Sequence, residues 1–248
     1  MRPSPPSIVR LVSAPSTMDA LHALAEQGAA AGTAVVAEVQ EEGRGSRGRD
    51  WASPAGGLWL SVLARPRAAA LELLSLRAGL AVAEALAALG AGSRIALKWP
   101  NDLMLDDRKC GGILCEARWQ GASPAWVVIG LGLNVGNSLP RELAATATRL
   151  AAALPAMTAA DLVGPMVDAL RTVDAAAGPL DPEERVRFDR RDWLRDRALA
   201  APVFGTAAGV GADGALLVRG PAGTTTAVRS GTVALAGTSA TADLPSCS

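Results

Sequence analysis

The stretch that most constrains this chain is residues 126–133, WVVIGLGL, which is apolar almost without interruption and of strand length. Such a run offers no polar face to water, so it reads as a strand buried within the protein. Residues 34–39 and 58–64 have the same texture. Residues 95–99 form a strand-like run broken at Pro100-Asn101-Asp102, and 103–105 with 111–117 read as a hairpin turning at Asp106-Asp107. The material to cover these strands is Ala- and Leu-rich, above all a helical pattern at 71–89. Half the residues are hydrophobic, yet there are only six Trp, two Phe and no Tyr. A core of small aliphatics favours helices packed closely on a sheet and excludes disorder. An α/β (α+β) fold is the expectation.

Charge narrows the function classes. Lys+Arg and Asp+Glu balance at 24 each, so no global field attracts nucleic acid or an anionic membrane. Cys110, Cys115 and Cys247 match no disulfide framework or metal spacing. With His22 the single histidine, no zinc site and no metal ligand set is expected. The opening MRPSPPSIVRLVS lacks an apolar signal core, and no stretch reads as a membrane span; a cytoplasmic protein without membrane partners is expected.

Along the chain, 8–12 is strand-like. Ser16 reads as the cap of a helix reaching about Gly28, with Asp19 as the acidic residue of a capping pair. Helical patterns return at 159–177 and 182–197. After Pro202 the texture becomes short Val/Leu/Thr runs punctuated by Gly, a small β-barrel pattern. The expected division is a domain at 1–200, a barrel at 201–237 and a disordered tail at 238–248.

Two segments carry chemistry. Gly43-Arg44-Gly45-Ser46-Arg47-Gly48 satisfies G-x-G-x-x-G, but Trp51-Ala52-Ser53-Pro54 and a strand follow where a dinucleotide site opens a helix, and no G-K-[ST] occurs. Three glycines permit close backbone approach to a ligand, and Arg44, Arg47 and Arg49 supply planar donors for phosphate or carboxylate. So glycine-rich a loop is expected to become rigid on binding. The second segment, Lys98-Trp99-Pro100-Asn101-Asp102, ends a strand with a cation and an acid separated by a proline-forced turn. Just beyond, Lys109 followed by Gly111-Gly112 can reach across a pocket with no bulky neighbour in the way. Each segment alone also fits a solvated turn or a surface hairpin.

Taken together the motifs resemble the biotin–protein ligase family, in order and spacing, over roughly residues 8–137. They comprise Ser16-Thr17, Glu38-Val39-Gln40 leading into Gly43-Arg44-Gly45 and Arg47-Gly48-Arg49-Asp50-Trp51, then Leu97 through Leu103, Arg108-Lys109 with Gly112-Ile113-Leu114, and Gly132-Leu133-Asn134-Val135. The resemblance implies a mixed sheet flanked by helices, like class II aminoacyl-tRNA synthetases, and a small C-terminal SH3-like β-barrel. It implies that biotin's carboxylate attacks the α-phosphate of Mg2+-ATP to give biotinyl-5′-AMP. The biotinyl group then passes to a lysine of the biotin carboxyl carrier domain of a carboxylase. By the same resemblance Lys109, Arg44, Arg49 and Asp102 are the catalytic candidates. Ser16, Thr17, Met18, Gln40, Gly43, Gly45, Ser46, Trp51, Lys98, Gly112 and Asn134 join Arg44 and Lys109 in lining the biotin and nucleotide sites. Asp102 is a candidate for Mg2+ or for orienting the incoming lysine. Dimerisation is common among such ligases.

The chain departs from the family at Ser46, where many members carry a further arginine, and at Met18, where an amide is frequent. Loss of that arginine implies weaker retention of the adenylate. Because the ligase motifs begin by residue 16, a ligase without an N-terminal helix-turn-helix, and so without nucleic-acid binding, is expected. A lipoate or octanoyl transferase of the same superfamily, a non-catalytic binder using the Arg/Gly loop, and a degenerate ligase are the competing readings. His22 reads as structural or surface, Cys110 and Cys115 as small core residues, Trp126 and Trp193 as core.

Overall fold

The apolar run at 126–133 lies in β7 (Ser123–Leu133), the central strand of a seven-stranded mixed sheet. The computed structural model describes residues 6–65, 71–121, 123–175 and 178–237; the expected tail at 238–248 and Cys247 fall outside them. The other strands are β1 (Ile8–Ala14), β2 (Ala34–Gln40), β3 (Leu58–Ala64), β4 (Ile95–Lys98), β5 (Asp102–Leu105) and β6 (Arg108–Gln120), in the order β1-β2-β3-β7-β6-β5-β4. β1 and β2 are parallel, with helix α1 (Thr17–Glu26) as the crossover that parallel neighbours require; the other pairs are antiparallel.

Register divides this sheet into two unlike faces. In β7 the odd positions Ile129 and Leu133 are fully buried and Leu131 nearly so; they share a face with Leu60 and Val62 of β3 and Ile113 of β6. Helices α2 (Leu71–Leu86) and α3 (Ala159–Arg171) pack on each other, α2 against β6 and α3 against β3. Gly79 of α2 brings its backbone close to Leu97, which register places on that same face. Val128, Gly130 and Gly132 are even positions of β7. They face α1, which covers this side chiefly over β2, β3 and β7. Met18, Leu21 and Ala25 of α1 form a closed apolar cluster with Val35, Leu63 and Val128. Toward Gly132, Gly112 and Asp102 the same face carries polar groups instead.

α1 begins as expected, with Ser16 Oγ accepting from Met18 N at 3.2 Å. The expected capping partner Asp19 is used elsewhere, as described below. The capping boxes that do form belong to α3, between Thr158 and Asp161, and to α4 (Pro182–Asp189), between Asp181 and Glu184. One expectation is overturned. The helical stretch Leu73–Arg94 is 22 residues long and holds an 18-residue window with a mean hydropathy of 1.6, the length and apolarity of a membrane span. Its packing against the sheet and α3 accounts for the apolarity.

A second compact unit begins at Pro179, ahead of the expected change at 200/201. The reason is local: Leu180 N donates to Ala212 O at 2.7 Å, Phe188 of α4 is buried, and α4 packs on β9. The unit holds β8 (Ala198–Ala201), β9 (Gly205–Val210), β10 (Leu216–Arg219), β11 (Thr225–Val228) and β12 (Ala234–Leu235), an antiparallel sheet ordered β11-β10-β9-β8-β12. The helix expected over 182–197 stops at Asp189. Trp193 is only half-buried, with the Arg197 guanidinium 4.0 Å from its ring centroid, and Trp126 is also half-buried.

Ile129→Ala empties a fully buried position in the central strand. Urea denaturation should show a loss of about 2–5 kcal/mol in unfolding free energy.

Candidate active site

A chain of hydrogen bonds crosses the open face of the sheet. Ser61 of β3 meets Thr17 Oγ1 at 2.8 Å. Gln40 Oε1 accepts from both Thr17 N (2.9 Å) and Thr17 Oγ1 (3.0 Å), and Gln40 Nε2 donates to Ser53 Oγ at 2.9 Å. Ser53 Oγ donates in turn to Trp51 O at 2.9 Å. The start of α1, the end of β2 and the segment after the Gly/Arg loop are thereby fixed to one another. Gly43 is tight here, since a Cβ would lie 2.4 Å from Trp51 O and 2.5 Å from Ser53 Oγ. A cavity of about 450 Å3 borders Gln40 and Ser53, with Pro54 and Ser138 among its walls.

The two β7 glycines form the floor. A Cβ on Gly130 would stand 2.8 Å from Met18 Sδ, and one on Gly132 would stand 2.8 Å from Trp51 Nε1. Met18 and the Trp51 indole therefore rest directly on the strand backbone. Trp51 Nε1 is buried with no hydrogen-bond partner. Lys109 Nζ lies 5.0 Å from the Trp51 ring centroid and 2.6 Å from Asp102 Oδ1. Gly112 adjoins that pair: a Cβ there would sit 3.7 Å from both Asp102 Oδ1 and Lys109 Cε, in space a ligand can use. Lys98 pairs in register with Asp102. The Lys109 backbone is held from outside the sheet as well, its N–H donating to Thr146 O at 2.8 Å and its carbonyl accepting from Thr148 N at 2.9 Å. Asn134, the residue after β7, donates its N–H to Cys110 O at 2.8 Å. Its side-chain oxygen accepts from Asn137 Nδ2 at 3.1 Å, while Asn137 Oδ1 accepts from Val135 N.

The Gly/Arg loop is held by the chain's own contacts. Arg44 donates to both Asp19 oxygens at 2.7 Å, and its Nε lies 3.5 Å from Glu116 Oε1. Arg44 and Asp50 form an antiparallel bridge, Gly45 N donates to Arg49 O at 2.7 Å, and the turn Ser46–Gly48 contains Arg47 at φ 64°. Arg49 donates to Ser46 O and Ser46 Oγ, each at 3.3 Å. Hydrogen bonding from Arg44 holds the Asp19 carboxyl below the usual carboxylate range. His22 first, and then Arg44, do the same for Glu116. Arg44 itself is pushed above its ordinary value by Asp19.

Against known proteins, residues 11–134 match the model of the biotin/lipoate A/B protein ligase family. The biotin–[acetyl-CoA-carboxylase] ligase of Paracoccus denitrificans is 34% identical over 209 residues, 76% of this chain and 85% of that protein. The chain belongs to this family. The bifunctional ligase/repressor of Escherichia coli is 48% identical over 108 residues, which span 42% of this chain and only 33% of the relative. Among solved structures, the Aquifex aeolicus biotin protein ligase in complex with biotin and ATP aligns with a TM-score of 0.78 at 26% identity, over 92% of this chain and 98% of that one. The Leishmania major biotin protein ligase in complex with biotinyl-5-AMP aligns at 0.65 and 26% identity, over 92% and 100%.

Within this family fold, the motif residues fall into three groups. Thr17, Gln40, Gly43 and Trp51 share the hydrogen-bonded wall, while Trp51, Lys98, Asp102, Lys109 and Gly112 surround one polar patch. Ser46 and Arg49 contact each other in the loop. Ser16 is buried and acts as a helix cap. Arg44 is engaged by two carboxylates, Asp19 and Glu116. Sequence reading missed Asp19, Ser53, Ser61, Glu116 and Asn137. Glu116 was within reach, because strand alternation puts it on the face of Gly112. His22 proves buried, accepting from Trp126 Nε1 at 3.0 Å, with Nε2 3.4 Å from Glu116 Oε2.

Burial pushes the Cys110 thiol up to about 12, so it stays protonated, and unreactive, at mildly alkaline pH. Treating the native protein with a thiol-specific disulfide reagent at about pH 8 should leave Cys110 unlabelled, and peptide mapping checks this.

Proposed function

We propose that this chain joins biotin to ATP, forming biotinyl-5′-AMP and pyrophosphate, and transfers the biotinyl group to a lysine of a biotin carboxyl carrier domain. The observation that carries the reading is the placement of Lys109. Its ammonium sits between the Trp51 ring and Asp102, on the open sheet face that also bears the Thr17–Gln40 wall. An acid that must approach a polyphosphate needs a cation fixed in advance where the two negative groups meet. Arg44 is committed to carboxylates, so Lys109 is best placed for that task, with Arg49 on the loop.

In the first step a biotin carboxylate oxygen bonds to the α-phosphorus of ATP and the bond to pyrophosphate breaks. In the second, the carrier lysine's nitrogen attacks the acyl carbon, AMP departs with the bridging oxygen, and the amine loses a proton. Asp102, beside Lys109, is the group that orients the incoming amine or holds Mg2+. Thr17, Gln40 and Ser16 hold the ureido ring and valeryl chain, the loop backbone at residues 43–46 covers them, and Asn134 meets the nucleotide. Met18 offers biotin an apolar contact, resting as it does on Gly130.

Mg2+ bound with nucleotide needs only one or two protein carboxylates beside the phosphates. Asp102, whose carboxylate stands beside Lys109, would be the protein's ligand to an ion entering with ATP. There it would neutralise phosphate charge. The small antiparallel sheet is read as the SH3-like barrel, assisting ATP or carrier binding, and the protein as cytoplasmic.

Purified protein should release pyrophosphate with biotin and ATP but not with lipoate, and Lys109→Ala should lower the rate by roughly 100-fold or more. Release with lipoate alone would transfer the assignment to lipoate chemistry, and no release with either acid would refute catalysis. Ser46→Arg should slow dissociation of pre-formed biotinyl-AMP by about tenfold, restoring one charge-assisted hydrogen bond; an unchanged rate would remove Ser46 from adenylate retention.

A further inference from the structure

Carboxylates from two different elements meet the Arg44 guanidinium. Asp19, in the first turn of α1, takes two hydrogen bonds at 2.7 Å, and Glu116 of β6 faces Nε at 3.5 Å. Glu116 is backed by His22, with Nε2 3.4 Å away, and the imidazole is held by Trp126 through its Nδ1. Arg44 also sits at the neck of the Gly/Arg loop. Its bridge to Asp50 and the Gly45 N to Arg49 O bond close the loop immediately beyond it. A grip on Arg44 therefore fixes the whole turn that follows. The grip reaches into the rest of the site, because Asp19 lies two residues from Thr17 and Glu116 shares a strand face with Gly112.

Single exposed ion pairs contribute little, but a fork-to-fork pair reinforced by a second carboxylate is the geometry in which they do. We infer that Asp19 and Glu116 are positioning residues that clamp the Gly/Arg loop, through Arg44, in the arrangement that covers biotin. The clamp rests on the proposed biotin chemistry. It acts on biotin affinity and leaves the rate of the chemical step alone, since neither carboxylate belongs to the Lys109–Asp102 group.

The test uses Asp19→Asn, Glu116→Gln and the double variant, each checked for an unchanged thermal unfolding midpoint. Two readouts are taken: trypsin cleavage after Arg47 and Arg49 in ligand-free protein, and biotin KM against kcat in pyrophosphate release. Cleavage rate and KM should each rise by about three- to tenfold, with kcat held within about twofold. In an Arg44→Gln background, Asp19→Asn should change neither quantity further, because the cation it pairs with is already gone. Unchanged cleavage in the double variant, an unchanged biotin KM, or a fall in kcat alone would each overturn the clamp. If the unmodified protein releases no pyrophosphate with biotin, the biotin reading fails by itself, and cleavage still decides whether the two carboxylates hold the loop.

Discussion

Two missing side chains in the middle of β7 set the geometry of everything above the sheet. At Gly130 and Gly132 there is no Cβ, so Met18 and Trp51 settle onto the backbone at distances a methyl group would forbid. One residue along, on either side, Ile129, Leu131 and Leu133 fill the opposite face completely. A single strand thus makes a dense hydrophobic interior below and a flat floor above. Alternation along the strand separates the two roles without any change of secondary structure. Because α1 and the Trp51 segment meet the same floor, their relative placement is inherited from one strand, and the Thr17–Gln40–Ser53 bonds then lock it.

Charge is apportioned above this floor with little left over. The site brings together more cations than an apolar pocket would tolerate uncompensated, and the chain answers with local acids: Asp19 and Glu116 for Arg44, Asp102 for Lys109. The two arrangements differ in kind. Arg44 is forked and engaged on two sides, which suits anchoring. Lys109 has one carboxylate and an aromatic face, both of which leave the ammonium able to turn toward an arriving anion. An arginine and a lysine near one site therefore take separate tasks, and zero net charge overall is consistent with this local pairing.

Much of the layout was legible in the residues. The strands of the large sheet and helices α1 to α3 lie where apolar periodicity, caps and turn residues put them. That signal depends on burial, which is strong throughout this unit. The family motifs mark the loop and the Lys109 hairpin because their glycines and charges answer to a ligand. What stayed hidden depends on pairing across the sheet. Asp19 looked like an ordinary acid at a helix start, although its partner lies 25 residues away in the loop. Asn137 carried no motif, and its role beside Asn134 emerges only from the turn that folds it back. The boundary at Pro179 was equally obscure, since α4 is polar over most of its surface and only Phe188 is fully buried.

The segment around Thr146 and Thr148 has a consequence out of proportion to its plain composition. It flanks Lys109 as a short parallel partner, bonding the backbone on both sides of that residue. The lysine is thus seated by a stretch that precedes Leu150 and contains none of the recognisable motifs. Insertions or deletions between Pro140 and Thr148 would be transmitted straight to the ammonium position, while the sheet beneath stayed intact. Evolutionary drift in an unremarkable connector is therefore a route by which a chain of this design can lose or retune its chemistry without disturbing its fold.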